Sequence, residues 1–195
     1  MRYDVRRVRA EEWAALRELR LAALRDPVAH LAFLDTVAAA EARPAAFWQE
    51  RARSSAAGTT VAQFVALAPT GGPDELAGEL ADELAGTVTV LVTSAGERDY
   101  VGETSPSPSA AMVGVYVPPE HRGGAAIGAL LDAAQEWVRD LGLERVRLHV
   151  HEHNARAQAA YRRLGYVETG AQAHLGGAVH LELERDLTDE PAPPR

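Results

Sequence analysis

The sequence predicts a mixed α/β fold, a central sheet flanked by helices, with elements in the order β-α-α-β-β-β-α-β-α-β-β. Three observations carry this reading. An apolar strand (Ala111–Val117) runs into a glycine-rich turn and then an amphipathic helix reaching Leu141. A second strand (Arg145–Val150) stops at a polar segment before a short helix that carries Tyr161. Other β-rich runs lie on both sides of this unit. With 195 residues, 47% of them hydrophobic and 25% charged, the chain is long enough for one domain with its own core. That domain is expected over residues 1–187, followed by a disordered tail at 188–195 that contains three prolines.

Tyr3–Val8 alternates as a strand around its arginines. Ala10–Arg25 places Trp13, Leu16, Leu19 and Ala23 on one helical side, and Pro27 ends it. A second helix is expected near Pro44–Ala56, anchored by Phe47 and Trp48 and closed by Gly58. Thr59–Leu67 and Thr87–Thr93 are rich in Val, Thr and Phe and read as consecutive antiparallel strands. The near-repeat Asp74-Glu75-Leu76-Ala77-Gly78 and Asp82-Glu83-Leu84-Ala85-Gly86 marks residues 69–86 as an acidic insertion at a hairpin tip. A second insertion, 94–110, is rich in Ser, Pro and Gly and reads as mobile. Strands near Tyr166–Thr169 and Val179–Glu184, joined at Gly176-Gly177, finish the fold.

Composition excludes several chemistries. No cysteine is present, so disulfides, thiolate catalysis and cysteine-ligated metals drop out. All 20 basic residues are arginine, which rules out a lysine Schiff base and a phosphate-loop lysine. The net charge of −8 argues against nucleic acid or an anionic membrane as partner; it is compatible with a cationic amine and equally with a charge that only keeps the protein soluble. The N-terminus reads directly as a strand, without a signal-like apolar run, so a cytoplasmic location is expected.

The turn Pro118-Pro119-Glu120-His121-Arg122-Gly123-Gly124 leads into a helix beginning at Ala125 or Ala126. Ile127, Leu130, Leu131, Ala134, Val138 and Leu141 form the helix's apolar stripe, and Gly142 follows as a cap. Free N–H groups at such a helix start, with the helix dipole, bind phosphate well. The glycines equally satisfy a plain tight turn. Asn154, the single asparagine, fits a helix N-cap. Tyr161 shares a helical face with Ala157, Ala160 and Leu164, as a core tyrosine would.

Taken in order, these segments resemble the GNAT superfamily of acetyl-CoA-dependent N-acetyltransferases. The matching text is Val115 to Gly124, then Gly128-Ala129-Leu130-Leu131, then Leu148-His149-Val150, Asn154, and Ala160 to Tyr166. The resemblance implies acetyl-CoA as cofactor and a GNAT-like sheet. It implies that the backbone of Val115, Tyr116 and Val117 pairs with the pantetheine arm, and that a backbone N–H of the splayed strand polarises the thioester carbonyl. The amides of Arg122, Gly123, Gly124, Ala125, Ala126, Ile127 and Gly128 would hold the pyrophosphate. Asn154 would bond a pantetheine amide, and Tyr161 would serve as general acid for the thiolate. A bacterial-like enzyme and a homodimer are also what the resemblance suggests.

Two departures stand out. The family's phosphate pattern falls on Arg122, Ala125 and Ile127, with a branched side chain where a small one is usual; a register shifted by one places His121, Gly124 and Ala126 instead. The glutamate often found at the start of the preceding strand is replaced by Ala111 and Met112. A base is still needed, because an amine must lose a proton before it attacks. His149, His151 and His153 cluster nearby with Glu152, and His151 is the candidate base. Their spacing suggests a solvated strand end rather than a metal site.

The function expected is acetyl transfer from acetyl-CoA to a primary amine, on a small molecule or a peptide or protein, by direct attack in a ternary complex. A non-catalytic acyl-CoA-binding regulatory domain of the same fold is the alternative. The acceptor cleft is expected between the two N-terminal helices and the final strands, with Asp35 and Glu41 as groups to attract a cation.

Overall fold

The computed structural model describes residues 3–68 and 83–188. Seven strands form one sheet: β1 (Asp4–Arg7), β2 (Val61–Leu67), β3 (Leu84–Thr93), β4 (Ser109–Tyr116), β5 (Arg145–His151), β6 (Val167–Leu175) and β7 (Ala178–Asp186). Their order across the sheet is β1-β2-β3-β4-β5-β7-β6. Only β4 and β5 run parallel; the other neighbours are antiparallel. The helices are α1 (Trp13–Arg25), α2 (Val37–Ala42), α3 (Ala45–Ala57), α4 (Ala126–Asp140) and α5 (Ala155–Arg163).

The apolar stripe of α4 does what its spacing predicts. Leu130, Leu131, Ala134 and Val138 are fully buried against Phe64, Val88, Val90, Val146, Leu148 and Val150 of the sheet. Each large side chain removed from water here contributes about 1.5–3 kcal/mol. α1 and α3 cover the opposite face, where Leu16 and Ala52 pack with Val65 of β2. Glycine 142 takes a left-handed φ of +76° just after α4, as a C-terminal cap requires.

Several boundaries differ from the sequence reading. α2 was not foreseen: its six residues are mostly alanine, too short and uniform to show a period. Its visible signal is Thr36, whose hydroxyl accepts from Ala39 N at 3.2 Å. β3 begins at Leu84, so Leu84, Ala85 and Gly86 belong to the sheet rather than to an insertion. The rest of that insertion, 69–82, and the tail beyond 188 lie outside the described residues. β6 extends to Leu175; it is an edge strand with most of its residues exposed, so no apolar alternation marked it.

The 94–110 segment is the largest correction. Ser109 and Ala110 belong to β4, and the remainder contacts β5 through Asp99 and Arg147. Asp99 Oδ1 accepts from Val101 N at 3.0 Å and Glu103 N at 2.9 Å, and Arg98 bridges Thr104. The Asp99 carboxylate also binds Arg147 of β5, with its side chain 1% exposed. Serine and proline content predicted a loop, and it is one. Its buried acid could not be read as such, because its partner lies 48 positions away.

Two irregularities shape the middle of the sheet. Between the pairs Thr89↔Val113 and Thr87↔Tyr116, β4 carries one residue more than β3. Gly114 sits in that bulge at φ +62°, a conformation glycine adopts without strain. β4 and β5 then pair only at Ala110↔Val146 and Ala111↔Arg147. Beyond that rung no further pairing joins them, and their ends open toward the glycine turn.

Candidate active site

The cleft lies where β4 leaves the β5 ladder, and encloses about 430 Å³. That is within the usual range for small-molecule sites, about 300–1,000 Å³. Val115, Tyr116 and Val117 form one wall; Ala157, Ala160 and Tyr161 of α5, with its caps Asn154 and Leu164, form the other. Residues Arg122, Gly123, Gly124, Ala125, Ile127 and Gly128 close one end. Val28, Ala29, Ala32 and Phe33, after α1, complete it.

Most candidate residues from the sequence therefore meet at one cleft. Ala126 is an exception: it is fully buried in the core beneath the turn. His151 is not among the lining residues. Its Nδ1 accepts from His153 N at 3.0 Å, which occupies the lone pair a base would use. Burial first, then the neighbouring His180 and His153, lowers its pKa.

The turn is built from one 3₁₀ turn at Pro119–His121, followed by Gly123 at φ +77°. α4 starts at Ala126, so the N–H groups of Ala126, Ile127 and Gly128 belong to the first helical turn and have no intrahelical acceptor. Ile127 packs partly buried against the core while also bordering the cleft. Arg122 does not point a free charge at this site. Its Nε donates to Val117 O at 2.8 Å, and its Nη2 binds the buried carboxylate of Asp26. Burial works against charge on Asp26, but the Val28 N–H and Arg122 outweigh it and hold the carboxyl below its ordinary value.

Asn154 is the N-cap of α5: its Oδ1 accepts from Ala157 N at 3.1 Å. Its Nδ2 donates to Leu31 O at 3.4 Å, across the cleft mouth. Tyr161 is 9% exposed, and its ring lies 5.9 Å from that of Tyr166. Burial, then the neighbouring Tyr166 and Tyr100 hydroxyls, pushes its pKa well above that of a free phenol, so the hydroxyl stays protonated.

Sequence reasoning missed three contributors. Arg156 and Arg163 are exposed at the cleft on α5, seven positions apart and so on one helical face. That spacing was available in the sequence. Asp26 was not legible, since its partner Arg122 is 96 positions distant. Asp35 and Glu41, expected to draw a cation, are already neutralised. Asp35 binds Arg43 at 2.6 Å and lies 3.6 Å from Arg20, and Glu41 binds Arg25 at 2.6 Å.

A mixed sheet whose parallel central strands part above a glycine turn and a helix N-terminus defines the class, an α/β fold with a cleft suited to an anionic ligand. The chain belongs to the acetyltransferase (GNAT) family, whose profile matches residues 13–166. An aminoglycoside N(6')-acetyltransferase type 1 of Stenotrophomonas maltophilia is 38% identical over 72 residues, 37% of this chain. The match spans 47% of that relative, about half its length. The structure of PaiA N-acetyltransferase from Thermoplasma acidophilum with coenzyme A superposes with a TM-score of 0.67 at 16% identity, covering 95% of this chain and 99% of that one. A putative acetyltransferase, yncA of Salmonella typhimurium with acetyl-CoA, gives 0.62 at 16% identity, covering 100% and 99%. These structural likenesses concern the fold.

Proposed function

We propose that the protein transfers an acetyl group from acetyl-CoA to a primary amine, by direct attack while both substrates are bound. The observation that carries this reading is the parting of β4 from β5 directly between the free amides of α4 and the Tyr161 phenol. A thioester cofactor supplies the activated acetyl group. The residues present fit it. Helix N-terminal amides favour a pyrophosphate, with Arg156 and Arg163 adding charge at the rim. The unpaired edge of Val115–Val117 offers backbone groups to an extended amide arm, as an added strand would. Asn154 presents its side-chain amide to the same space.

Tyr161 holds its proton until a better acceptor forms beside it. A departing thiolate is such an acceptor, and an O–H donor there assists the break at neutral pH. A backbone N–H at the β4 bulge polarises the acetyl carbonyl. The chain has no cysteine to take up an acetyl group as a thioester, which favours direct transfer. Amines of the kinds in the names of similar proteins are reasonable first acceptors: an aminoglycoside, spermidine, or a peptide.

The test is thiol release from acetyl-CoA in the presence of kanamycin A, spermidine and a short peptide with a free N-terminus. At least one should support release well above acetyl-CoA alone. Acetyl-CoA should also raise the melting temperature where ATP and NAD do not. Stabilisation by acetyl-CoA without release with any amine would instead favour a binding domain.

A further inference from the structure

Arg20 of α1 and Arg51 of α3 border a small hollow on the sheet face that these two helices cover. Trp48, Thr89 and Gly114 line it as well, and no acidic residue does so among the described residues. The hollow encloses about 30 Å³, room for one small polar group. Its walls offer donors that lack acceptors. Trp48 is 4% exposed, and its Nε1–H, a group that can only donate, is buried without an acceptor among the described residues. The nearby carboxylate of Asp35 is already shared, with Arg43 at 2.6 Å and Arg20 at 3.6 Å. Arg51 is exposed, and its side chain forms no ion pair among the described residues. On the floor, Gln63 Nε2 donates to Thr87 Oγ1 at 3.0 Å, and Thr87 donates in turn to Phe64 O at 2.9 Å. What the hollow is short of is an acceptor with negative charge.

The hollow adjoins the cleft across β4. Gly114, in the bulge, lines the hollow; Val115, the next residue, lines the cleft; and Tyr116 lines both. A second link runs through Phe33, which borders the cleft while the Arg20 guanidinium stacks 4.5 Å from its ring centre. At the inner end, the Thr89 hydroxyl stands beside the bulge: a Cβ added at Gly114 would lie 4.0 Å from its oxygen. A group held in the hollow is therefore held at the bulge of β4.

We propose that this hollow anchors a carboxylate of the acceptor, and that the acceptor is an amino acid acetylated on its α-amine. This rests on the amine-acetylation reading above and narrows its substrate class. Arg20 and Arg51 supply charge-assisted bonds to the carboxylate, and the Trp48 indole supplies a further donor. Arginine suits this role because its fixed fork matches the two oxygens of a carboxylate. The small volume favours a carboxylate over a bulkier phosphate group. In an α-amino acid a single carbon separates amine from carboxylate. A molecule anchored by the two arginines thus brings its amine to the bulge that separates the hollow from the cleft.

The test measures thiol release from acetyl-CoA with L-leucine, L-methionine and L-histidine, each beside its α-carboxamide. The carboxamide keeps the amine and the side chain and removes only the charge. Kanamycin A, spermidine and the short peptide serve as acceptors of the other kinds. The best amino acid should exceed its carboxamide by about 100-fold in kcat/KM, as two bonds to a charged group are worth. The carboxamide has the less basic amine and more of it is free near neutral pH, so amine chemistry alone would give the opposite order. Arg51→Gln should remove most of this preference by raising KM for the amino acid, and Arg51→Lys should restore part of it. Thermal melting monitors the fold of both variants. Equal kcat/KM for acid and carboxamide, or an Arg51→Gln loss equal on the two, would overturn the anchor and leave acetyl transfer intact. Release with kanamycin A, spermidine or the peptide and none with the amino acids would do the same. Wild-type protein that binds acetyl-CoA and releases no thiol with any of these amines would overturn the acetyl-transfer reading, and the anchor with it.

Discussion

Arg122, in the glycine turn, spans to Asp26 just past the end of α1, and the Asp26 side chain is only 4% exposed. The pair ties the segment after α1, which lines the cleft, to the turn that closes one end of it. A second bond from Arg122 to Val117 O fixes the end of β4 in the same unit. Arg122→Gln should therefore destabilise the protein by about 1–3 kcal/mol, because it leaves a buried carboxylate with too few partners. Asp26→Asn should cost less.

The same pair has a pH signature. The Asp26 carboxyl is held below its ordinary value, so its stabilising contribution is complete above the unfolded-state value of about 3.9. It is lost as pH falls through the lower folded-state value. Urea unfolding across an acid series should show this limb in the wild type and a shallower one in Asp26→Asn. Identical limbs would mean that Asp26 is not ion-paired in solution.

Tyr161→Phe removes one hydroxyl from a buried ring and keeps its packing. Turnover should fall by about 100-fold while the acetyl-CoA Kd stays near that of the wild type. The comparison needs only steady-state kinetics and calorimetry. Unchanged turnover would remove Tyr161 as the acid.

Asn154 combines a capping role with a place in the cleft, and substitution separates them. Asn154→Asp retains an oxygen for Ala157 N, so the melting temperature should change little. Coenzyme affinity should fall, since the side-chain N–H₂ is lost and a negative charge enters. Asn154→Ala should lose about 1 kcal/mol of stability as well. Equal coenzyme affinity in all three proteins would confine Asn154 to the cap.

Asp99→Ala leaves Arg147 without its buried partner and frees the amides of Val101 and Glu103. A loss of about 3 kcal/mol is expected, as for other broken buried pairs. Hydrogen exchange should rise first in residues 94–108. Protection unchanged there would show that the loop is held by other means.

What the sequence disclosed follows from how local each signal is. The α4 stripe, the Gly142 cap, the order of strands and the cleft residues from Val115 to Gly128 rest on contacts within a few positions. Asp26–Arg122, Asp99–Arg147 and Tyr100–His149 join residues 48 to 96 positions apart, and no periodicity announces them. The histidine cluster was visible in sequence, but not which member the fold would bury. His151 has Nδ1 occupied by the chain, whereas His149 is buried between a tyrosine and a glutamate. The arginine of the turn was recognised, yet its partner turns its charge to bracing rather than to binding.

Direct acetyl transfer requires both substrates to be bound together before the acetyl group moves. Initial velocities measured while acetyl-CoA and the amine acceptor are varied against each other test it most directly. Double-reciprocal lines should intersect. Parallel lines, as an acetylated protein intermediate would give, would contradict it.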